Sequence, residues 1–116
     1  MEPVDVVARY FDGWRRGDTM ALIGLLDPRV RATGPLATVD GAANHAESLA
    51  RSSRLFSAIA VDQMAVTGDT VITWFAYHLT NGEIVQAANR CEVAGNVITS
   101  VQVAFDPRPL LSMVHK

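Results

Sequence analysis

Few side chains in this chain of 116 residues can move a proton or grip a ligand, and their spacing decides which matter. His45 shares a helical stripe with Ala42, Ala46, Leu49 and Ser53. A neutral imidazole on such an apolar face takes or delivers a proton near neutral pH. The same position suits a core histidine whose ring nitrogens bond a backbone carbonyl or a water. Tyr10 edges a second stripe of Val4, Val7, Phe11 and Trp14. Its hydroxyl either faces an interior pocket or reaches a backbone group while the ring packs. Trp14 follows Tyr10 at i, i+4, so a pocket wall and ordinary core packing both fit it. Asn89 alternates in phase with Val85, Ala87, Cys91 and Val93, which directs its amide inward. A buried amide needs partners, and a ligand or Tyr10 can supply one.

The remaining candidates weigh less. His78 falls near a hairpin end and His115 near the C-terminus, neither with a metal-ligating neighbour at useful spacing. The single Cys91 excludes an internal disulfide, and no Cys/His cluster has zinc spacing. No nucleotide or metal motif is present, so the expected chemistry needs no metal and no cofactor. Asp40 immediately precedes the third helix and is expected to cap it. Asp106 is out of phase with Val101, Val103 and Phe105 and is expected to fix the end of the last strand.

The elements that must position these groups are well punctuated. Pro3 opens a first helix, Arg15 and Arg16 suit its C-terminal dipole, and Gly17 ends it. Asp18 caps a second helix carrying Met20, Leu22, Ile23, Leu25 and Leu26, which Asp27-Pro28 stops. Val30–Thr33 reads as a short strand ended by Gly34-Pro35, and Asp40-Gly41 starts the third helix. From Phe56 the period changes to two and β-branched residues accumulate. Turns at Thr67-Gly68-Asp69, Asn81-Gly82 and Gly95-Asn96 divide this half into strands over 57–67, 70–80, 84–94 and 97–106. Asn81-Gly82 predicts a type I′ turn.

Helices followed by hairpins make a single α+β domain over residues 1–116. The strand over 70–80 is apolar on both faces, with Val71, Phe75 and Tyr77 on one and Ile72 and Trp74 on the other. An antiparallel sheet in a monomer usually leaves one face wet, so a homodimer is expected. With 49% hydrophobic and 19% charged residues the composition is that of a soluble globular protein. A net charge of −2 gives no footprint for nucleic acid. No apolar run is long enough to span a bilayer, and Met1-Glu2-Pro3-Val4-Asp5 lacks the basic, apolar start of a signal peptide. A cytoplasmic location is the expectation.

Val7-Ala8-Arg9-Tyr10-Phe11, the Arg16-Gly17-Asp18 junction, Gly41 at the third helix and Phe105-Asp106-Pro107 carry a family resemblance. In that order and spacing the chain resembles the nuclear transport factor two-like superfamily, in its SnoaL-like and ketosteroid-isomerase-like branch. The resemblance implies a cone: a curved, mixed sheet, mostly antiparallel, around three N-terminal helices. It further implies an apolar pocket and dimerisation through the outer sheet face. Members include isomerases, cyclases, dehydratases, epoxide hydrolases and pure binding modules, so fold alone does not fix function.

On the isomerase pattern Tyr10 takes the place of the tyrosine that donates to the dienolate oxygen, and Asn89 that of the protonated acid on the sheet. An amide donates to an oxyanion without any pKa shift. The catalytic base is missing, because its position is Gly34. The last-strand carboxylate of the epoxide hydrolases is likewise absent, its position being Val103. The resemblance therefore implies a small-molecule site with Tyr10 and Asn89 as oxyanion donors, and His45, on the apolar face of the third helix, is the expected substitute as proton-transfer group. Trp14, Cys91 and Val103 would line the ligand. As an enzyme it would be a cofactor-independent isomerase, cyclase or lyase on an apolar carbonyl compound. The alternative is a non-catalytic ligand-binding or dimerisation module.

Overall fold

The computed structural model describes residues 1–114, and His115 lies outside them. The elements run α1 (Pro3–Arg16), α2 (Thr19–Leu25), β1 (Leu26–Thr33), β2 (Thr38–Asp40) and α3 (Ala42–Ser52), followed by a 3₁₀ turn (Ser53–Leu55). Then come β3 (Phe56–Thr67), β4 (Thr70–Leu79), β5 (Ile84–Ala94), β6 (Val97–Phe105) and α4 (Arg108–Val114). One six-stranded sheet has the order β2-β1-β6-β5-β4-β3. Only β1 and β6 pair in parallel. The α+β class and the four long hairpin-linked strands agree with the sequence reading.

The α1–α2 junction shows why the chain turns where it does. Gly17, at φ 61°, donates to the Trp14 carbonyl while Asp18 donates to that of Gly13, closing the helix in a left-handed cap. The Asp18 carboxylate then accepts from the Ala21 N–H at 3.0 Å and opens α2. With the helices thus folded back, α1 buries Val6, Val7, Tyr10, Phe11 and Trp14 against the sheet. Phe11 meets Phe75 edge-on at 5.1 Å, and Trp14 meets Tyr77 at 5.7 Å. Tyr77 also stacks on Phe56 at 4.6 Å and meets Phe105 at 5.2 Å, so aromatic contacts run from the helix across the sheet.

Three local expectations need correction. Strand β1 begins at Leu26 rather than Val30: its pairing with β6 is interrupted between Leu26 and Arg31, and Pro28 sits in that gap where no ladder hydrogen bond is required of it. Asp40 does not cap α3. It extends β2 opposite Arg31, whose Nε donates to it at 2.8 Å, and Gly41 takes the cap position. Asn81-Gly82 is not a type I′ turn, since Asn81 keeps a negative φ and only Gly82 is positive, at 93°. The Gly82 N–H bonds to the Leu79 carbonyl, giving a three-residue loop closed by a glycine bulge. After Phe105 the sheet ends, and the Pro107-Arg108-Pro109 segment leads into α4. Pro109 falls in the first turn of α4, where a missing N–H costs nothing, and Asp106 accepts from the Arg108 N–H at 3.1 Å.

The two faces of β4 part as its alternation requires. Val71, Thr73, Phe75 and Tyr77 point toward the helices, while Ile72 and Trp74 lie 47% and 46% exposed on the opposite face. Among the described residues no helix is long and apolar enough to cross a membrane.

Candidate functional site

Tyr10 from α1 and His45 from α3 meet at the narrow side of the fold. The Tyr10 Oη lies 2.8 Å from His45 Nε2, and the rings are nearly parallel at 5.9 Å. The register of α3 is fixed from outside the helix: Gly41 donates to the Val30 carbonyl on β1, and the Gly41 carbonyl accepts from the His45 N–H. Both side chains are buried, Tyr10 to 1% and His45 to 6% exposure. Burial pushes the imidazole down to about 4 and, helped by the nearby Cys91 and Tyr77, the phenol well above its usual 10. At neutral pH the pair is therefore a phenol and a neutral imidazole. One tautomer accepts the phenol proton at Nε2; the other donates Nε2–H to the phenol oxygen and frees its O–H for another acceptor.

Asn89 stands on β5, with Thr73 and Val103 directly opposite it on the neighbouring strands. It is 2% exposed, and its Oδ1 accepts from the Cys91 thiol at 3.0 Å. Burial raises Cys91 to about 12, so the thiol keeps the proton it donates. With its carbonyl held by Cys91, the amide has its two N–H donors left for other partners.

Tyr10, Trp14, Asn89 and Val103 border one cavity of ≈ 140 Å³ between α1, the sheet and α4. Tyr77 lines it too, and Leu36 and Leu110 stand at its edge. His45 and Cys91 are not part of this lining; each lies behind it, bonded to a residue that is. Sequence reasoning missed Leu36 and Leu110. Leu36 sits on a loop without periodicity, and Leu110 on a short helix, after two prolines. Tyr77 was legible only as a strand residue sharing a face with Val71 and Phe75. Among the described residues two buried polar atoms, Trp14 Nε1 and Thr73 Oγ1, have no hydrogen-bond partner.

The two positions where the resemblance places carboxylates are in contact with each other. A Cβ on Gly34 would lie 2.8 Å from Val103 Cγ1, so an acid fits there only if β6 or its valine moves. Asp40, on β2, is engaged by Arg31, which holds its carboxyl below the usual range. Among the described residues no cluster of three His, Cys, Asp or Glu is placed to hold a metal ion.

The SnoaL-like domain family matches residues 7–104, and the chain belongs to that family. Solved structures agree on the fold. An NTF2-like protein of unknown function from Cytophaga hutchinsonii is 21% identical, with 96% of each chain covered and a TM-score of 0.83. A hypothetical protein with a ketosteroid isomerase-like fold from Catenulispora acidiphila, solved with trimethylamine, is 20% identical. There 89% of this chain and 85% of that one are covered, with a TM-score of 0.75. TerC co-crystallised with polyporic acid is 16% identical, with 98% of each chain covered and a TM-score of 0.81. No curated protein matches the chain.

Proposed function

We propose that this SnoaL-like protein binds a small, apolar carbonyl compound or phenol, of about one ring, in the cavity bordered by Tyr10 and Asn89. The observation that carries the reading is that these two polar side chains, each fixed by a neighbour behind it, border one largely apolar cavity whose lining also includes Ser52 and Tyr77. The cavity of ≈ 140 Å³ is close to the roughly 150 Å³ that admits benzene in an engineered apolar core. That two neighbours of this fold were crystallised with small organic molecules supports a small-molecule ligand.

Tyr10 and Asn89 would hold the ligand oxygen, and His45 would set the direction of the Tyr10 hydroxyl. His45 is a positioning residue in this reading, because an imidazole titrating at about 4 is a weak base toward a carbon acid at neutral pH. A second reading, a cofactor-independent isomerase, cyclase or lyase, rests on the 2.8 Å Tyr10–His45 contact as a proton relay to the bound oxygen. A second copy of the chain would cover Ile72 and Trp74 on the outer face.

Calorimetric titration of phenol into the wild type, Tyr10→Phe and Asn89→Leu tests the binding reading. Each substitution removes one hydrogen bond and is expected to weaken binding up to about tenfold. Absence of phenol binding, or equal binding by all three proteins, contradicts it.

A further inference from the structure

A second cavity, of ≈ 130 Å³, adjoins the first on the β1–β2 side. Four residues line both cavities: Val101, Val103 and Phe105 on β6, and Leu36 on the β1–β2 loop. The space exists because the residues around it are small. Ala32, Gly34 and Ala37 surround it, and Thr33 and Ser48 bring hydroxyls to its lining. Any side chain at Gly34 would project against Val103 in that shared lining.

The two sides of this shared lining are held very differently. Phe105 ends β6 and meets Tyr77 edge-on at 5.2 Å. Leu36 is 48% exposed at the tip of the β1–β2 hairpin, which is closed by the Gly34 N–H on the Ala37 carbonyl at 3.0 Å. Beyond it lies edge strand β2, joined to the sheet through three residue pairs with β1. The isobutyl group is thus the removable part of the wall. Without it, the compartments would join into an elongated cleft of about twice the volume, approaching the roughly 300 Å³ at which ordinary ligand sites begin.

We infer that Leu36 is the specificity-determining residue of the site, restricting it to ligands of one ring by closing the second compartment. The inference rests on the proposed ligand-binding role of the first cavity. It assigns to the β1–β2 tip a selection by length, separate from the selection for an oxygen made by Tyr10 and Asn89.

The test is calorimetry of phenol and 4-phenylphenol against wild type, Leu36→Ala and Leu36→Phe. Leu36→Ala is expected to shift the ratio of the two dissociation constants toward 4-phenylphenol by about tenfold. Leu36→Phe is expected to leave or sharpen the preference for phenol. Phenol binding with the same ratio in wild type and Leu36→Ala overturns the role of Leu36 and leaves the ligand site standing. Failure of all three proteins to bind phenol overturns the ligand site and the partition together.

Discussion

The helix side and the β1–β6 side of the cavity have taken opposite courses. On the helix side polar groups are kept and doubled: Tyr10 is backed by His45, and Asn89 by Cys91. On the β1–β6 side a Cβ at Gly34 would run into Val103, and neither position carries an acid. In the proposed reading one wall holds an oxygen, while the other offers no carboxylate to abstract a proton. The contrast shows how the two halves of such chemistry, residing on different elements, can be separated.

The polar half responds most strongly to acid. His45 titrates near 4 in the folded protein and near 6.5 when unfolded, so between those values only the unfolded chain takes up the proton. Stability attributable to His45 is complete above about pH 6.5 and falls as pH drops toward 4, by about 3 kcal/mol in all. Urea unfolding at a series of pH values should show this loss in the wild type and a much flatter profile in His45→Leu. The carboxylates held low by arginine, Asp40 and Asp106, contribute their own loss below this window.

The apolar half resists repair. Gly34→Asp, which restores an acid at the implied position of the base, should destabilise the protein by about 2 kcal/mol through the clash with Val103. Val103→Ala in the same chain should return part of that loss, and additive denaturation energies would show that the two positions do not press on each other.

The smallest effect is expected away from both walls. Trp74→Ser on the outer face should change monomer stability by less than about 0.5 kcal/mol. The informative readout is mass by sedimentation. A dimer in the wild type that Trp74→Ser weakens supports the second copy on this face, and a wild-type monomer excludes it.

Much of this arrangement was legible before folding. Period-two alternation placed β3 to β6 nearly to the residue, most clearly in β5, where buried and open positions alternate, and glycine turns separate the strands. The inward phase of Asn89 and the apolar stripe carrying His45 came from the same logic. Pro28 misled it, since it looks like a breaker but occupies a ladder gap where its missing N–H is harmless. The partners of the site residues were not legible. Tyr10 and His45 are 35 positions apart on different helices, and only the crossing of α1 and α3 brings them together. The i, i+2 bond from Cys91 to Asn89 lay within reach of strand parity alone.

The central claim is that the cavity holds an oxygen without abstracting a proton, and cyclohex-2-enone in deuterated buffer tests it directly. Nuclear magnetic resonance reports binding and exchange of the protons next to the carbonyl in one experiment. The account predicts saturable binding, weakened in Tyr10→Phe, with exchange no faster than in buffer. Exchange accelerated by the wild type and abolished in His45→Leu would contradict it and make the Tyr10–His45 pair a working proton relay.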